Sequence, residues 1–374
     1  MKKDEEQALF PSRVAKGSNF CNRIEEKKRI RINIKNIQHT LIISPRRYGK
    51  TSLVFETINE TGIVYGYVHF FNAFRDDIVL KRFNEGLGQL LTQILPKTKR
   101  AISKFSEMFR HAKLSINLVG INVEIGLHPV SRDVVDVIKG LLEDIDKVLR
   151  DSNKRAVIFF DEFQDIVESD SSEGLQAVLR EFAQFTERVT FIISGSHRHM
   201  LLKIFDDSHK PFYKLFDRID LHRIKEEDYL PFLQKLAEKT WKEKLKEEIL
   251  SEILNLTECH AYYVNRLCSK LWLVEEAPSL KGVHQMWEQL VEEEFGSIAN
   301  ELSSLTKNQR IVLQMVCKNS CVLEPTSDFF LEQVRLSPRS VALAMAALER
   351  TDHLERISKG YRAIDPVTKY ILSR

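Results

Sequence analysis

The sequence predicts an α/β fold with a parallel sheet, followed by a helical domain and a C-terminal winged helix-turn-helix domain. Between residues 40 and 196, short apolar runs alternate with helical patterns, which is typical of βαβ units with helices on both faces of one sheet. After residue 221, the apolar residues recur mostly at helical spacing. Residues 303–374 contain three helical patterns and then two short strands around Lys359-Gly360, which is the order of a winged helix-turn-helix.

The same patterns place the domain boundaries. We expect the sheet domain over residues 1–224, the helical domain over 225–302 and the winged domain over 303–374. Residues 114–127 alternate polar and apolar side chains around Gly120, so they predict a β-hairpin inserted in the sheet domain.

A strand–loop–helix segment near residue 45 carries the first chemical motif. The loop consists of Ser44, Pro45, Arg46, Arg47, Tyr48, Gly49, Lys50 and Thr51, and Ser52 continues the helix. This order matches the phosphate-binding motif G-x-x-x-x-G-K-[ST], with Ser44 in place of the first glycine. Lys50 would reach the β- and γ-phosphates of a nucleotide, and Thr51 would bind Mg²⁺. Backbone N–H groups of the loop would point at the phosphates. The alternative interpretation of the whole segment is a basic turn without a ligand.

A second motif follows the apolar run Ala156-Val157-Ile158-Phe159-Phe160, which is typical of a strand buried on both faces. The run ends in Asp161-Glu162. At the carboxyl end of a strand beside the phosphate loop, Asp161 can hold Mg²⁺ and Glu162 can act as the base for the attacking water. Two acids that only cap a strand are the alternative, and the pairing with the phosphate loop favours the catalytic interpretation.

A third strand, Val189-Thr190-Phe191-Ile192-Ile193, ends in Ser194-Gly195-Ser196. We assign Ser194 as the polar residue that contacts the γ-phosphate or the attacking water, with Ser196 in reserve. The same three residues are also ordinary turn formers, so a plain turn is the alternative.

Composition limits the remaining choices. No stretch is apolar over the length of a membrane span, and the start lacks the apolar core of a signal peptide, so we expect a cytoplasmic protein without a membrane partner. The five cysteines are scattered without a C-x-x-C pair, which predicts reduced thiols. The first fifty residues are basic, whereas residues 225–300 are acidic. Binding of a phosphate ligand, binding of a nucleic acid or simple solvation would each explain the basic segment.

Five segments in this order resemble the archaeal and bacterial P-loop ATPases of the AAA+/STAND group, which are similar in layout to archaeal origin-initiator ATPases. The segments are Phe20-x-x-Arg23-x-x-Glu26, Ser44 to Thr51, Phe159-Phe160-Asp161-Glu162, Ile193-Ser194-Gly195-Ser196 with Pro211-Phe212-Tyr213, and Tyr361-Arg362-Ala363-Ile364-Asp365-Pro366. The resemblance implies an AAA+-like core, a helical lid over residues 225–302, ATP or ADP as ligand, and Mg²⁺.

The resemblance also implies roles for further residues. Phe20 and Arg23 would lie beside the adenine and ribose, and Arg218 would be an arginine finger acting on a neighbouring subunit, or else an ion-pair partner of Asp217 or Asp220. The lid segment Cys259-His260-Ala261-Tyr262 departs from the Gly-His-Pro-Tyr of the family. His260 would contact the β-phosphate, and Arg266 is the substitute candidate.

The winged domain is a weak match to a DNA reader. Its helix 338–349 is apolar nearly all round, and only Arg339 and Ser340 could reach base edges. Arg335, Arg356, Lys359 and Arg362 could contact phosphates. The sequence therefore favours a winged domain that responds to the nucleotide over one that reads a DNA sequence.

Three functional hypotheses follow. The first is an ATP-hydrolysing switch whose nucleotide state controls the winged domain, a partner protein or assembly with further copies of the chain. The second is an ATP-dependent DNA-binding protein of initiator or mobile-element type. The third is a nucleotide-binding scaffold that does not hydrolyse ATP, which the intact Asp161-Glu162 pair disfavours.

Overall fold

The computed structural model describes most of the chain in two compact units. The described residues are 9–11, 14–94, 114–118, 121–125, 133–358 and 360–374. The sheet unit comprises residues 23–44 and 50–221, and the helical unit comprises residues up to 22, residues 45–49 and residues 222–374. Within the described residues, no helix is long and apolar enough to cross a membrane.

The sheet unit contains a five-stranded sheet in which every pairing is parallel. Its strands are β1 (Thr40–Ile43), β2 (Val64–His69), β5 (Ala156–Asp161), β6 (Val189–Gly195) and β7 (Asp217–Asp220), in the order β2-β5-β6-β1-β7. The predicted hairpin is present as antiparallel strands β3 (Leu114–Leu118) and β4 (Ile121–Ile125). Gly120, expected at its turn, lies outside the described residues. Strand β7 had no clear sequence signal, because it has only four residues at the sheet edge.

Helices pack on this sheet as the alternation predicted. They are α1 (Ile24–Asn36), α2 (Lys50–Thr61), α3 (Asp76–Ile94), α4 (Val134–Asp151), α5 (Ser172–Phe185) and α6 (Arg198–Phe205). Helix α4 illustrates the local cause, since the side chain of Asp133 accepts the N–H of Val135 and so caps its first turn. Apolar residues at helical spacing along α4, such as Ile138 and Leu142, are fully buried in the core. The parallel α/β core and the C-terminal winged domain confirm the predicted fold class.

The strand order brings the chemical motifs together. Strand β6 lies between β5 and β1, with Phe160 opposite Ile193 and Ile42 opposite Ser194. Parallel strands present their carboxyl ends at one edge of the sheet. The ends of β1, β5 and β6 are therefore neighbours at that edge.

His39 fastens the start of β1 within the sheet unit. Its Nε2 lies 2.8 Å from the carbonyl oxygen of Ala183, and its Nδ1 accepts the N–H of Phe191 at 3.0 Å. Burial lowers the pKa of His39 below its usual range, so the ring is neutral at neutral pH. A neutral ring donates on one side and accepts on the other, as both of these contacts require.

The helical unit contains four helices followed by the winged helix. The first four are α7 (Glu226–Trp241), α8 (Glu247–Thr257), α9 (Ala261–Leu271) and α10 (Leu280–Ser303). The winged part consists of α11 (Lys307–Lys318), α12 (Asp328–Val334), α13 (Pro338–Arg350), β8 (Leu354–Ile357), β9 (Gly360–Ala363) and α14 (Pro366–Ser373). Helix α7 ends at Trp241, because the next residue, Lys242, adopts the left-handed conformation. Lys359, in the wing, lies outside the described residues.

Two separate hydrophobic cores lie inside the helical unit. One joins α7 to α10 around Trp287 and includes Val367 of α14, and the other joins α11, α12 and α13 with the wing around Val312 and Leu348. Helix α14 had no prediction from the sequence, and its side chains pack on both cores, with Val367 in the first and Leu372 against the second. The division of the chain into three domains stays a prediction.

Candidate functional site

In the sheet unit, Lys50 begins helix α2 and is buried against Ser44 at the end of β1. Its Nζ donates to the Ser44 carbonyl oxygen at 3.1 Å and lies 3.4 Å from the Ser44 hydroxyl. The serine that replaces the first glycine of the motif is therefore an acceptor for the motif lysine. The lysine ammonium is therefore held where β1 ends.

Asp161 ends β5 and lies beside the first turn of α2. The Thr51 hydroxyl donates to its Oδ2 at 2.8 Å, the Tyr67 hydroxyl donates to the same oxygen at 3.2 Å, and the Ser194 hydroxyl donates to Oδ1. A threonine hydroxyl next to a carboxylate is a donor set that suits Mg²⁺, a cation that prefers oxygen ligands. Within the described residues, no group of three or more acidic, histidine or cysteine side chains could hold a metal ion by itself.

Glu162 follows in a left-handed backbone conformation, with φ of 52°. Its Oε2 accepts the Ser196 hydroxyl at 2.7 Å, the Ser196 N–H at 3.0 Å and the Gln164 amide at 2.8 Å. Burial alone would raise the pKa of Glu162, but the donors from Gln164 and Ser196 and the charge of Lys50 together hold it below its usual range. The carboxylate is therefore ionised, which is the state in which it could accept a proton.

Two other predicted residues of the sheet unit are engaged in ion pairs. Arg218 lies on edge strand β7, where its guanidinium contacts Asp206 and Asp220, each at 2.8 Å. The ion pair with Asp220 matches the alternative weighed from the sequence, and the arginine-finger role stays a prediction. Arg23 is buried, adopts a φ of 65° and pairs with Glu26 at 3.1 Å.

In the helical unit, the middle of the phosphate loop, residues 45–49, packs against the start of helix α9. The Arg47 guanidinium lies 4.2 Å from the centre of the Tyr262 ring, a cation–π contact. The ring of Tyr48 meets His260 edge-on, with ring centres 5.0 Å apart. Gly49 adopts a φ of 90°, which favours glycine, and no heavy atom outside its chain neighbours lies within 4 Å of the place a Cβ would occupy.

Tyr48 is also bonded to the wing. Its hydroxyl donates to Oε1 of Glu355 on β8 at 3.1 Å and accepts Nε of Arg223 at 3.3 Å. Burial raises the pKa of Tyr48 to about 12, so its hydroxyl keeps the proton that the bond to Glu355 requires. One side chain of the phosphate loop thus contacts both the wing and Arg223 of the helical unit.

Arg223 is the centre of this network, and its side chain is only 5% exposed. Besides Tyr48, it donates to the side chain of Glu258 at 2.5 Å and to the carbonyl oxygens of Ala363 and Ile364 at 3.1 and 2.8 Å. Burial alone would raise the pKa of Glu258, but Arg223 and Lys369 hold it below its usual range. The guanidinium therefore forms hydrogen bonds to the phosphate loop, to Glu258 after α8 and to the end of the wing.

Three further predicted residues lie in the helical unit. His260 is the N-cap of α9, and burial, followed by the charges of Arg223 and Arg47, lowers its pKa to about 3, so it is neutral. Within the described residues, its buried Nδ1 has no hydrogen-bond partner. Arg266 is paired with Glu293 at 3.0 Å, and Phe20 is half-buried.

Sequence reasoning missed Gln164, Tyr67, Arg223 and Glu355. Gln164 had a usable signal, because it is a polar residue two positions after the acid pair, where the chain must turn. Arg223 had none, since its partner Tyr48 is 175 positions away. Such contacts follow from the tertiary fold and leave no local pattern.

These features agree with comparison to known proteins. Residues 20–267, about two thirds of the chain, match a family described as an ATPase domain predominantly from Archaea. The chain belongs to this family. The C-terminal part of the chain, residues 297–374, matches a probable winged helix domain. No curated protein sequence matches the chain.

Solved structures share the fold of this chain. The Walker-type ATPase of Pyrococcus abyssi is 14% identical, with a TM-score of 0.72 over 98% of this chain and 100% of its own. The ORC2 protein of Aeropyrum pernix, solved in ADPNP–ADP complexes, is 14% identical with a TM-score of 0.59, over 99% and 96% of the two chains. The ORC1 protein of the same organism, solved in complex with DNA, is 12% identical. The match has a TM-score of 0.50 and covers 98% of this chain and 95% of the ORC1 chain.

Proposed function

We propose that the protein is an ATP-binding and hydrolysing molecular switch whose nucleotide state controls its winged helix domain or assembly with a partner. The observation that carries the proposal is the position of Tyr48. This residue belongs to the loop that would bind the phosphates, yet its hydroxyl is bonded to Glu355 in the wing and to Arg223. A change in the loop therefore acts directly on the wing.

The sheet unit supplies the groups that ATP hydrolysis requires. Lys50 would bind the β- and γ-phosphates, and Thr51 and Asp161 would hold Mg²⁺, which offsets the phosphate charge when it is bound. Glu162 takes a proton from water as the water oxygen adds to the γ-phosphorus and the bond to the β–γ bridging oxygen breaks. Ionised Glu162, with Ser196 and Gln164 on one oxygen, suits this task.

The coupling follows from linkage between two equilibria. If the loop changes conformation when it binds phosphate, the nucleotide binds more tightly to the arrangement of Tyr48 that the phosphates favour. The wing contacts that Tyr48 makes then shift by the same coupling free energy, and the wing in turn alters nucleotide affinity. The proposal thus predicts effects in both directions.

Hydrogen exchange tests the coupling. A non-hydrolysable ATP analogue is expected to change amide exchange in the wing, residues 354–363, relative to ADP, as well as in the phosphate loop. The control is Tyr48→Phe, which keeps the ring but removes the hydroxyl between loop and wing, and should abolish the wing effect while the loop effect persists. Exchange changes confined to the loop in the wild-type protein would contradict the switch.

A DNA-binding function is the second candidate, and the match to a winged helix domain favours it. The outward face of α13 presents Ala342, Leu343 and Ala346, with Arg339 near one end and Arg350 at the other. Apolar side chains at its centre cannot bond base edges, so binding would depend on phosphate contacts.

A salt titration with random duplex DNA separates the two functions. Exposed Arg335, Arg339 and Arg356 would give about three phosphate contacts, so the logarithm of the binding constant should fall against log salt with a slope of about −3. Binding should show no preference among sequences. The absence of binding at low salt, with and without ATP, would remove this candidate and leave the switch.

A further inference from the structure

The turn after β5 brings a buried glutamine next to the general base. Because Glu162 adopts a left-handed conformation and residues Phe163–Glu168 form a 3-10 helix, the side chain of Gln164 turns back to the Glu162 carboxylate. Gln164 is 1% exposed. Its amide Nε2 donates to Oε2 of Glu162 and to Oδ1 of Asp165, each at 2.8 Å. Asp165 in turn accepts the N–H of Asn72 at 2.9 Å, which fixes it as an anchor for the amide.

Among the described residues, the donors to the Glu162 side chain all meet at one of its two oxygens. The Ser196 hydroxyl, the Ser196 N–H and the Gln164 amide all bond Oε2, at 2.7, 3.0 and 2.8 Å. The other oxygen, Oε1, accepts no hydrogen bond from the described residues. A general base needs one oxygen available for the proton of water, and this arrangement leaves Oε1 for that purpose.

Gly195 makes room for the glutamine. A Cβ on residue 195 would lie 2.1 Å from Oε1 of Gln164 and 2.9 Å from Cδ1 of Leu201, so any larger residue would displace the amide. The same Oε1 of Gln164 is buried and has no hydrogen-bond partner within the described residues. An unpaired buried carbonyl lowers stability. The amide is therefore held by its two donor bonds to Glu162 and Asp165, at the expense of its acceptor.

We propose that Gln164 is a positioning residue for Glu162: with Ser196 it holds Oε2 and leaves Oε1 to accept the proton of the attacking water. The proposal rests on the proposed ATPase activity. Gln164 itself does not contact the nucleotide, and it acts by fixing the rotation of the carboxylate about its last bond. A rotating carboxylate would spend less time with its unoccupied oxygen toward the water.

The test compares Gln164→Met with Gln176→Met in steady-state ATP hydrolysis. Methionine keeps the length of the side chain and removes the donors. We expect kcat to fall about 10- to 100-fold in the first variant, with KM and ADP affinity unchanged, because only the orientation of the base is lost. Gln176 is the matched control, since it is also buried and donates to the Ser172 hydroxyl at 3.0 Å, away from the acid pair. Its variant should keep the wild-type kcat.

Two further variants distinguish the positioning role from a general packing effect. Ser196→Ala removes one donor to Oε2 but keeps the N–H donor, so its kcat should fall less than that of Gln164→Met. Gly195→Ala keeps Gln164 but displaces its amide, so it should lower kcat with KM unchanged. If Gln164→Met and Gly195→Ala both hydrolyse ATP at the wild-type rate while Glu162→Gln does not, the positioning role is wrong and the proposed function stands. If the wild-type protein releases no phosphate, the proposed function itself fails.

Discussion

Replacing Lys50 with alanine is expected to abolish nucleotide binding, with the Kd for ATP and ADP at least about 100-fold weaker. Lys50 is the buried ammonium at the sheet edge, held by the carbonyl and hydroxyl of Ser44. Alanine removes the charge that would offset the β- and γ-phosphates, and nothing else at that position can replace it. Isothermal titration calorimetry with ADP and with a non-hydrolysable ATP analogue measures the loss.

Two comparisons make this result specific. Lys139→Ala removes an exposed lysine of the same unit that pairs with Glu181, and it should bind nucleotide as the wild type does. Glu162→Gln should also bind normally, but phosphate release should fall about 10²- to 10⁴-fold, because the amide cannot accept the proton of water. Tight ATP binding by the Lys50 variant would show that the phosphate site lies elsewhere.

Replacing Arg223 with methionine is expected to lower the free energy of unfolding of the helical unit by about 3–5 kcal/mol. The change removes one hydrogen-bond donor from the Glu258 carboxylate. It also removes the hydrogen bonds that Arg223 donates to the carbonyl oxygens of Ala363 and Ile364. Because these acceptors are buried or half-buried, water replaces the lost donors poorly. Denaturant unfolding followed by circular dichroism measures the loss.

The control for Arg223 is an exposed arginine of the same unit. Arg374 pairs with Glu288 and its side chain is 60% exposed, so Arg374→Met should change stability by no more than about 1 kcal/mol. The Arg223 variant should also lose the effect of nucleotide on exchange in the wing. Equal stabilities for the two variants would mean that the network of Arg223 contributes no more than a surface ion pair.

Local patterns in the sequence predicted the elements of the sheet and the motifs at their ends. The run from Ala156 to Phe160 is apolar because both faces of that strand are buried. The acid pair follows where the strand ends. The loop before Lys50 is recognisable for the same reason, since its residues are neighbours in the chain. Such features depend on contacts within a few residues, which periodicity and spacing record.

The sequence did not predict which side chains meet across the fold. Gln164 and Ser196 converge on Glu162 because β5 and β6 pair in a particular register, and sequence order alone does not give that register. Tyr48 and Arg223 are far apart in the chain and meet only when the helical unit is folded. The side chain of Tyr48, which reads as a spacer in the motif, becomes the contact to Glu355.

The α/β class, the phosphate loop, the acid pair and the winged helix were all predictable from local patterns, because each depends on residues close together in the chain. The folded arrangement was needed to see that the described donors to the Glu162 side chain all reach one oxygen, and that Tyr48 is hydrogen-bonded to the wing. Hydrogen bonds and ion pairs act over about 3 Å in space, at any separation along the chain. Their partners are therefore fixed by packing rather than by local pattern.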